Sequence, residues 1–446
     1  MQLLILCLIA IYITLYMYPE LVVGQSWFVP VGIVIYIIVN CLYLWKYKWQ
    51  QLFCFELFFA ISFFLCCFLT PLIYESLDAY HKSFFYVSNF SVVKVYLIST
   101  IGYLMYLIGL TIKNSGQQQI IRFNYSIQAK KISNWICFSL IFIFYALGGI
   151  QLINLYNADV AGMENRFQGW GGALFFAMYA YIVSIVVNFS STSIYRNSTV
   201  KFIKSLPTLF IINTILLVIP LLISGLRSSA LQLIIPLILM YSISVKRITA
   251  KKMVFLLMLG FVLMVFIGFN RTESQSLIKQ DNLVYYFRDF FYANSGESYL
   301  IDYADKHGPT GGSNMLMHIL SIVPFLQSFT AAIIDTSILQ PASSTLYTDA
   351  YNTGTGLGTN LIGDIYYTFH FIGVLILMFI YGLFLKKCNS YKTPYGLVLL
   401  LAFTGNALFA PRVEFAYVIR TLSYCAIILY IINHLSKRPY SSIINR

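Results

Sequence analysis

Charge is what this sequence has least of. Asp, Glu, Lys and Arg make up 10% of its 446 residues, while 59% are hydrophobic; soluble proteins carry about 25% charged residues. That deficit excludes a soluble enzyme, a disordered tail and the two or three soluble domains of roughly 150 residues that the length alone would allow. Alternation of apolar and polar residues is also missing, which excludes a transmembrane β-barrel. The 8 cysteines lie almost all within apolar runs, with no C-x-x-C and no Cys/His cluster. Neither a disulfide framework nor a zinc site is expected from them. There is no Gly-Lys-Ser/Thr phosphate loop, and no metal or other cofactor is expected. No basic segment precedes the first apolar run and no small-residue cleavage site follows it, so that run is expected to be a retained helix. No internal repeat is evident, which weighs against a transporter built from inverted repeats.

Long apolar runs are what the sequence has in abundance. A helix needs about 20 mostly apolar residues to cross a bilayer. Twelve runs qualify, near 2–18, 27–45, 52–73, 91–112, 132–150, 171–190, 206–224, 229–245, 253–270, 363–385, 395–411 and 415–434. The expected fold is an all-α polytopic membrane protein with about twelve transmembrane helices. The net charge of +13 does not point to nucleic acid, because the basic residues lie in short segments between the runs, among them Lys130, Lys131, Lys246, Arg247, Lys386 and Lys387. With both termini cytoplasmic, most of the 29 Lys and Arg fall inside and nearly all of the 16 Asp and Glu fall outside, as the positive-inside rule requires. Residues 1–270 then hold spans one to nine, 271–362 form one large external loop, and 363–446 hold spans ten to twelve and a cytoplasmic tail. A connection that long is usually functional when it is ordered. Its apolar stretch Met315–Ile334 is broken at Pro324. We expect an interfacial or re-entrant helix there, since a span would leave Asp335 and Asp349 inside without a Lys or Arg.

Arginine collects on the outer side: Arg166, Arg227, Arg271, Arg288, Arg412 and Arg420. Guanidinium groups present paired donors that match phosphate oxygens, so the set is expected to hold an anion such as a lipid pyrophosphate. Arg412 and Arg420 are spaced to share one helix face, and Arg420 falls where an ionisable residue costs about 2.5–3.5 kcal/mol. A salt bridge (Arg412 to Glu414) or snorkelling explains any single arginine equally well. Neither explains why arginine gathers on one side. The glycine-rich segment 352–360 leads into Gly363 and Asp364, where a helix N-terminus would attract an anion, although a flexible connection is the simpler reading. Outer-side groups able to take a proton from a sugar hydroxyl are Glu297, His307, His318, Asp364 and His370; taken singly, each is more simply read as a solvated loop residue or a satisfied polar group. Tyr285-Tyr286-Phe287 and Tyr366-Tyr367 could stack on sugar faces, interface belts being the commoner use of such residues.

With these residues laid out, the chain resembles the bacterial O-antigen and oligosaccharide repeat-unit polymerases of the Wzy type. The resemblance covers most of residues 160–435 and lies in topology and short motifs. These are Arg166, Ser224-Gly225-Leu226-Arg227-Ser228, Asn270-Arg271, Arg288-Asp289 followed by Glu297, the stretch with Pro324, Gly356-Leu357-Gly358-Thr359-Asn360, and Arg412 with Arg420. It implies a GT-C-like fold in the bacterial inner membrane with the large loop in the periplasm. The implied activity is that of a metal-independent glycosyltransferase that uses no nucleotide sugar. The growing glycan passes from undecaprenyl pyrophosphate to the non-reducing end of a new lipid-linked repeat; the acceptor hydroxyl attacks the anomeric carbon and the lipid pyrophosphate leaves. The six arginines would hold the pyrophosphate. Glu297, which follows Arg288-Asp289, is the first choice of base, with His307 and Asp364 in reserve. Expected partners are the undecaprenyl-pyrophosphate-linked oligosaccharide, the lipid bilayer and a chain-length regulator protein, with no nucleic acid. The O-antigen ligase is the rival that shares this topology and arginine-rich face. A flippase or transporter of the same lipid would carry charge along a central cavity, whereas here the charge gathers at the outer face.

Overall fold

The structure is a computed structural model that describes residues 1–25, 27–49, 52–76, 89–112, 121–149, 170–189, 199–224, 226–249, 251–253, 255, 258, 260, 288–320, 322–323, 326–333, 339–351, 358–389, 393–436 and 440–444. Its helices are α1 (Gln2–Met17), α2 (Phe28–Tyr47), α3 (Phe55–Ile73, with a π turn at Phe64–Phe68), α4 (Asn89–Thr111), α5 (Ile127–Phe144) and α6 (Trp170–Phe189). There follow α7 (Thr199–Ser205), α8 (Thr208–Ile223), α9 (Arg227–Ser244), α10 (Arg288–His307), α11 (Ser313–Leu320) and α12 (Leu326–Ile333). The chain continues through α13 (Ser343–Tyr351), α14 (Leu361–Asn389), α15 (Pro394–Asn406) and α16 (Phe415–Leu435).

Among the described residues seven helices are long and apolar enough to cross a membrane: α2, α3, α4, α5, α6, α14 and α16. Helices α7 and α8 form one further pair bent by 97°, and α1, α9 and α15 are apolar but shorter. This is a polytopic membrane protein. Each apolar run in the sequence coincides with one of these helices except 253–270, most of which lies outside the described residues. Within residues 313–334 the described helices are α11 and α12, of eight residues each. Each is about 12 Å long, well short of a hydrocarbon core of about 30 Å.

One element departs from an all-helical expectation. Strands β1 (Ile121–Tyr125) and β2 (Tyr440–Ile444) pair antiparallel with Phe123 opposite Ser442. They lie before α5 and after α16, where Ser126 and Ser436 are hydrogen-bonded at 3.3 Å. Two extended segments brought side by side at one end of the bundle satisfy their backbone groups by pairing.

Helix α14 runs along α4 at the centre. Glycine permits it: a Cβ on Gly109 would collide with the backbone of Phe379, and one on Gly382 with the backbone of Tyr106. Small residues at such a crossing let two helices touch backbone to backbone. Around it Phe55, Phe59, Tyr103, Tyr106 and Tyr381 pack as tilted and stacked rings, Phe59 and Tyr106 at 4.9 Å. At one end of the bundle the N-terminal ends of α4, α14 and α16 meet the C-terminal end of α1, and α10, α11 and α13 dock there. Gly363 sets the depth of α10: a Cβ there would lie 2.9 Å from Glu297 Cα.

Candidate active site at one end of the bundle

Glu297 is fully buried on α10. Ser99 Oγ of α4 donates to its Oε1, while Oε2 makes no hydrogen bond among the described residues. Burial pushes its pKa up to about 8, and the nearby Ser99 and Cys67 offset only part of that. Cys67 lies in the π turn of α3, a distortion often found at functional sites. Its carbonyl accepts from Asn294 Nδ2 at 3.3 Å and its thiol from Asn360 Nδ2 at 3.5 Å. Asn360 also caps α14: its Oδ1 accepts from the N–H groups of Ile362 at 2.8 Å and Gly363 at 3.4 Å. The helix end that the sequence offered to an anion is thus occupied by its own cap. Gly358, at φ 80°, makes the turn into it; residues 352–357 lie outside the described residues.

Asp364 is 1% exposed, and its Oδ2 accepts the Phe415 N–H at 2.9 Å at the start of α16. Glu414, the residue before it, accepts from Ser344 N–H at 3.2 Å and Ser344 Oγ at 2.6 Å, and its Oε2 lies 2.7 Å from His318 Nε2. Two carboxylates at a helix N-terminus complement its dipole, and between them they tie α11, α13 and α14 to α16. The hydrogen bond to Glu414 holds the His318 pKa above its ordinary value despite partial burial. Burial would raise the Glu414 pKa, but His318 and Ser344 outweigh it and hold it low.

The arginines are arranged differently from the expectation of one shared helix face. Arg412 ends a 3-10 turn at Ala410–Arg412, before Glu414 and the start of α16, and only Arg420 is helical. The intervening Pro411 and extended Val413 break the register. Arg412 lies over the Phe290 ring at 5.4 Å. The Glu414 carboxylate is taken by His318 and Ser344. Arg420 is half-buried over Tyr417 at 5.1 Å, and among the described residues its guanidinium makes no ion pair. Arg227 and Arg288 open α9 and α10, but their side chains lie outside the described set. Arg166 and Arg271 lie outside the described residues.

His307 is not part of this convergence. It is exposed at the last residue of α10, stacked on Tyr303 at 4.2 Å with Nδ1 3.1 Å from the Tyr303 carbonyl. Ten residues of helix, about 15 Å, separate it from Glu297.

A second polar group, in which sequence reasoning singled out only His370 as a candidate base, surrounds Asp305 on α10. Lys94 Nζ of α4 pairs with Asp305 Oδ2. Tyr366 OH donates to Oδ1 at 2.8 Å, and His370 Nε2 lies 3.2 Å from the same oxygen. Tyr366 OH also meets His370 Nε2 at 3.0 Å and Tyr16 OH at 3.2 Å. Partial burial would raise the Asp305 pKa, but Lys94, Tyr366 and His370 outweigh it and hold the carboxyl low. The Tyr366-Tyr367 pair and His370 were visible in the sequence; nothing there tied them to Lys94 or Asp305, which lie 211 residues apart. Among the described residues no three His, Cys, Asp or Glu are grouped as a metal site would need.

Compared with known families, residues 1–440 match the family model described as O-antigen polysaccharide polymerase Wzy. No curated protein and no solved structure matches the chain.

Proposed function

The chain belongs to the O-antigen polysaccharide polymerase Wzy family, and we propose that it polymerises lipid-linked repeat units at the end of the bundle where α10, α11 and α13 dock. The growing glycan is transferred from undecaprenyl pyrophosphate to the non-reducing end of a new lipid-linked repeat. The acceptor oxygen bonds to the anomeric carbon as the bond from that carbon to the pyrophosphate breaks. The site faces the periplasm from the inner membrane, in a GT-C-like arrangement, and a chain-length regulator acts with it.

Arg420 is the observation that supports this reading best. A half-buried guanidinium with no carboxylate partner among the described residues is costly to keep, and an anionic ligand relieves that cost. Arg412 stands at the start of the same helix. Guanidinium donors aimed at a leaving pyrophosphate stabilise the charge that builds on it, without recourse to a metal. Arg166, Arg227, Arg271 and Arg288 complete the proposed clamp. Glu297 and Asp364 lie within the same layer, with a substrate reaching either only if α10 or α16 shifts; His307 stands at its edge.

Deleting the gene and resolving the surface polysaccharide on a gel tests the proposal. A product capped with a single repeat is expected. Loss of all capped lipid would instead indicate a ligase or a flippase.

A further inference from the structure

Helix α14 breaks at His370, whose φ of 58° and ψ of −162° lie outside the helical region. A residue with a Cβ is strained in such a conformation and keeps it only where its surroundings hold it. Here they do so from two sides. The loop after α10 supplies the Thr310 N–H to the Tyr367 carbonyl at 3.1 Å and the Gly311 N–H to the Thr368 carbonyl at 3.0 Å. Asp305 and Tyr366 hold the imidazole itself.

We propose that His370 takes the proton from the acceptor hydroxyl, with Asp305 as its positioning residue; this rests on the polymerase reading above. A carboxylate 3.2 Å from Nε2 keeps the ring proton on that nitrogen and leaves the lone pair on Nδ1. Among the described residues Nδ1 makes no hydrogen bond, and 40% of the His370 side chain is exposed. Glu297 and Asp364, at 0% and 1% exposure, offer a hydroxyl no comparable approach. The charged and titratable groups facing the imidazole are Asp305 of α10, Lys94 of α4, Tyr366 of α14 and, through Tyr366, Tyr16 of α1. Tyr16 and Lys94 also line a cavity of about 300 Å³ together with Met17, Pro19, Val93 and Leu97, at the small end of the range for ligand sites. The acceptor O–H bond breaks and its proton passes to Nδ1. The oxygen forms the glycosidic bond, and the pyrophosphate leaves with the electron pair of the bond it held. The imidazolium formed is paired with Asp305.

The test uses membranes carrying the full chain and undecaprenyl-pyrophosphate-linked repeat units extracted from a polymerase-deficient strain. His370→Gly fits the positive φ without a Cβ and removes the base. We expect a loss of polymer of about 100-fold or more, with added imidazole restoring about a tenfold part of it. Asp305→Asn lowers kcat with little change in KM. His370→Asn, which tolerates positive φ better than most residues, stays inactive with or without imidazole. Activity of His370→Gly or His370→Asn within about threefold of wild type overturns the assignment, as does a His370→Gly loss that imidazole leaves unchanged. If His370→Gly does not insert, His370→Asn decides alone by the same threshold. Wild-type membranes that make no polymer from this substrate would refute the polymerase reading itself.

Discussion

Glu297 and Asp305 are eight residues apart on α10, and their surroundings are opposite. Glu297 is sealed against α4, α14 and the π turn of α3, with one oxygen bonded to Ser99 and a pKa raised to about 8. Asp305 has 29% of its side chain exposed, pairs with Lys94 and orients a histidine. Burial, not residue type, separates them. The sealed carboxyl stores its proton near neutral pH, whereas the open one stays ionised and acts on its neighbours. Asp364 falls on the sealed side of this division, whereas Glu414, though buried, is paired with His318 and its pKa is held low, as that of Asp305 is.

The largest effect expected from this division is in polymer yield. His370→Gly is expected to cost about 10²–10⁴-fold, and Glu297→Gln about tenfold or less, because a neutral amide resembles the protonated carboxyl. Rates of polymer formation measured side by side check this; a greater loss from Glu297→Gln would move the base to the sealed side. Next come the arginines. Arg420→Lys and Arg412→Lys keep the charge but not the fork, and each is expected to remove most of the activity, about tenfold. Full polymer length and amount from both variants on a gel would count against the clamp.

The sequence pattern made most of this fold legible and little of the division. Hydropathy alone located the runs that became α1 to α6, α8, α9 and α14 to α16, because a bilayer imposes length and apolarity on every span. It does not register the 97° bend between α7 and α8, which falls at Leu206-Pro207, or the pairing of residues 121–125 with 440–444, which depends on two chain segments meeting. At the site, Arg420 and Glu297 were found by residue type and by resemblance. The burial of Glu297 follows from a contact with Gly363, and the importance of His370 from a backbone break and from a partner on α10. None of these leaves a local signal.

A smaller effect concerns stability. Asp364→Ala removes the acceptor of the Phe415 N–H at the start of α16 and is expected to destabilise by about 1–2 kcal/mol, seen as a lowered Tm of the purified protein. An unchanged Tm would mean that Asp364 does not hold α16.

The smallest effect is a pH dependence. The pKa of Glu297 rises from 4.5 to about 8 on folding, so between those values the folded chain keeps a proton that the unfolded chain has released. Stability contributed by this group is therefore full below about 4.5 and is lost as pH rises toward 8. Tm should fall across that window more steeply in wild type than in Glu297→Gln, and parallel curves would show that Glu297 is not sealed.

The central claim, that this chain joins lipid-linked repeat units, is tested most directly by reconstituting the purified protein in vesicles with undecaprenyl-pyrophosphate-linked repeats alone. A ladder of products that lengthens with time is expected, forming about tenfold more slowly with Arg420→Lys. Repeat units that remain single, or that lengthen only when a different acceptor lipid is supplied, would contradict it.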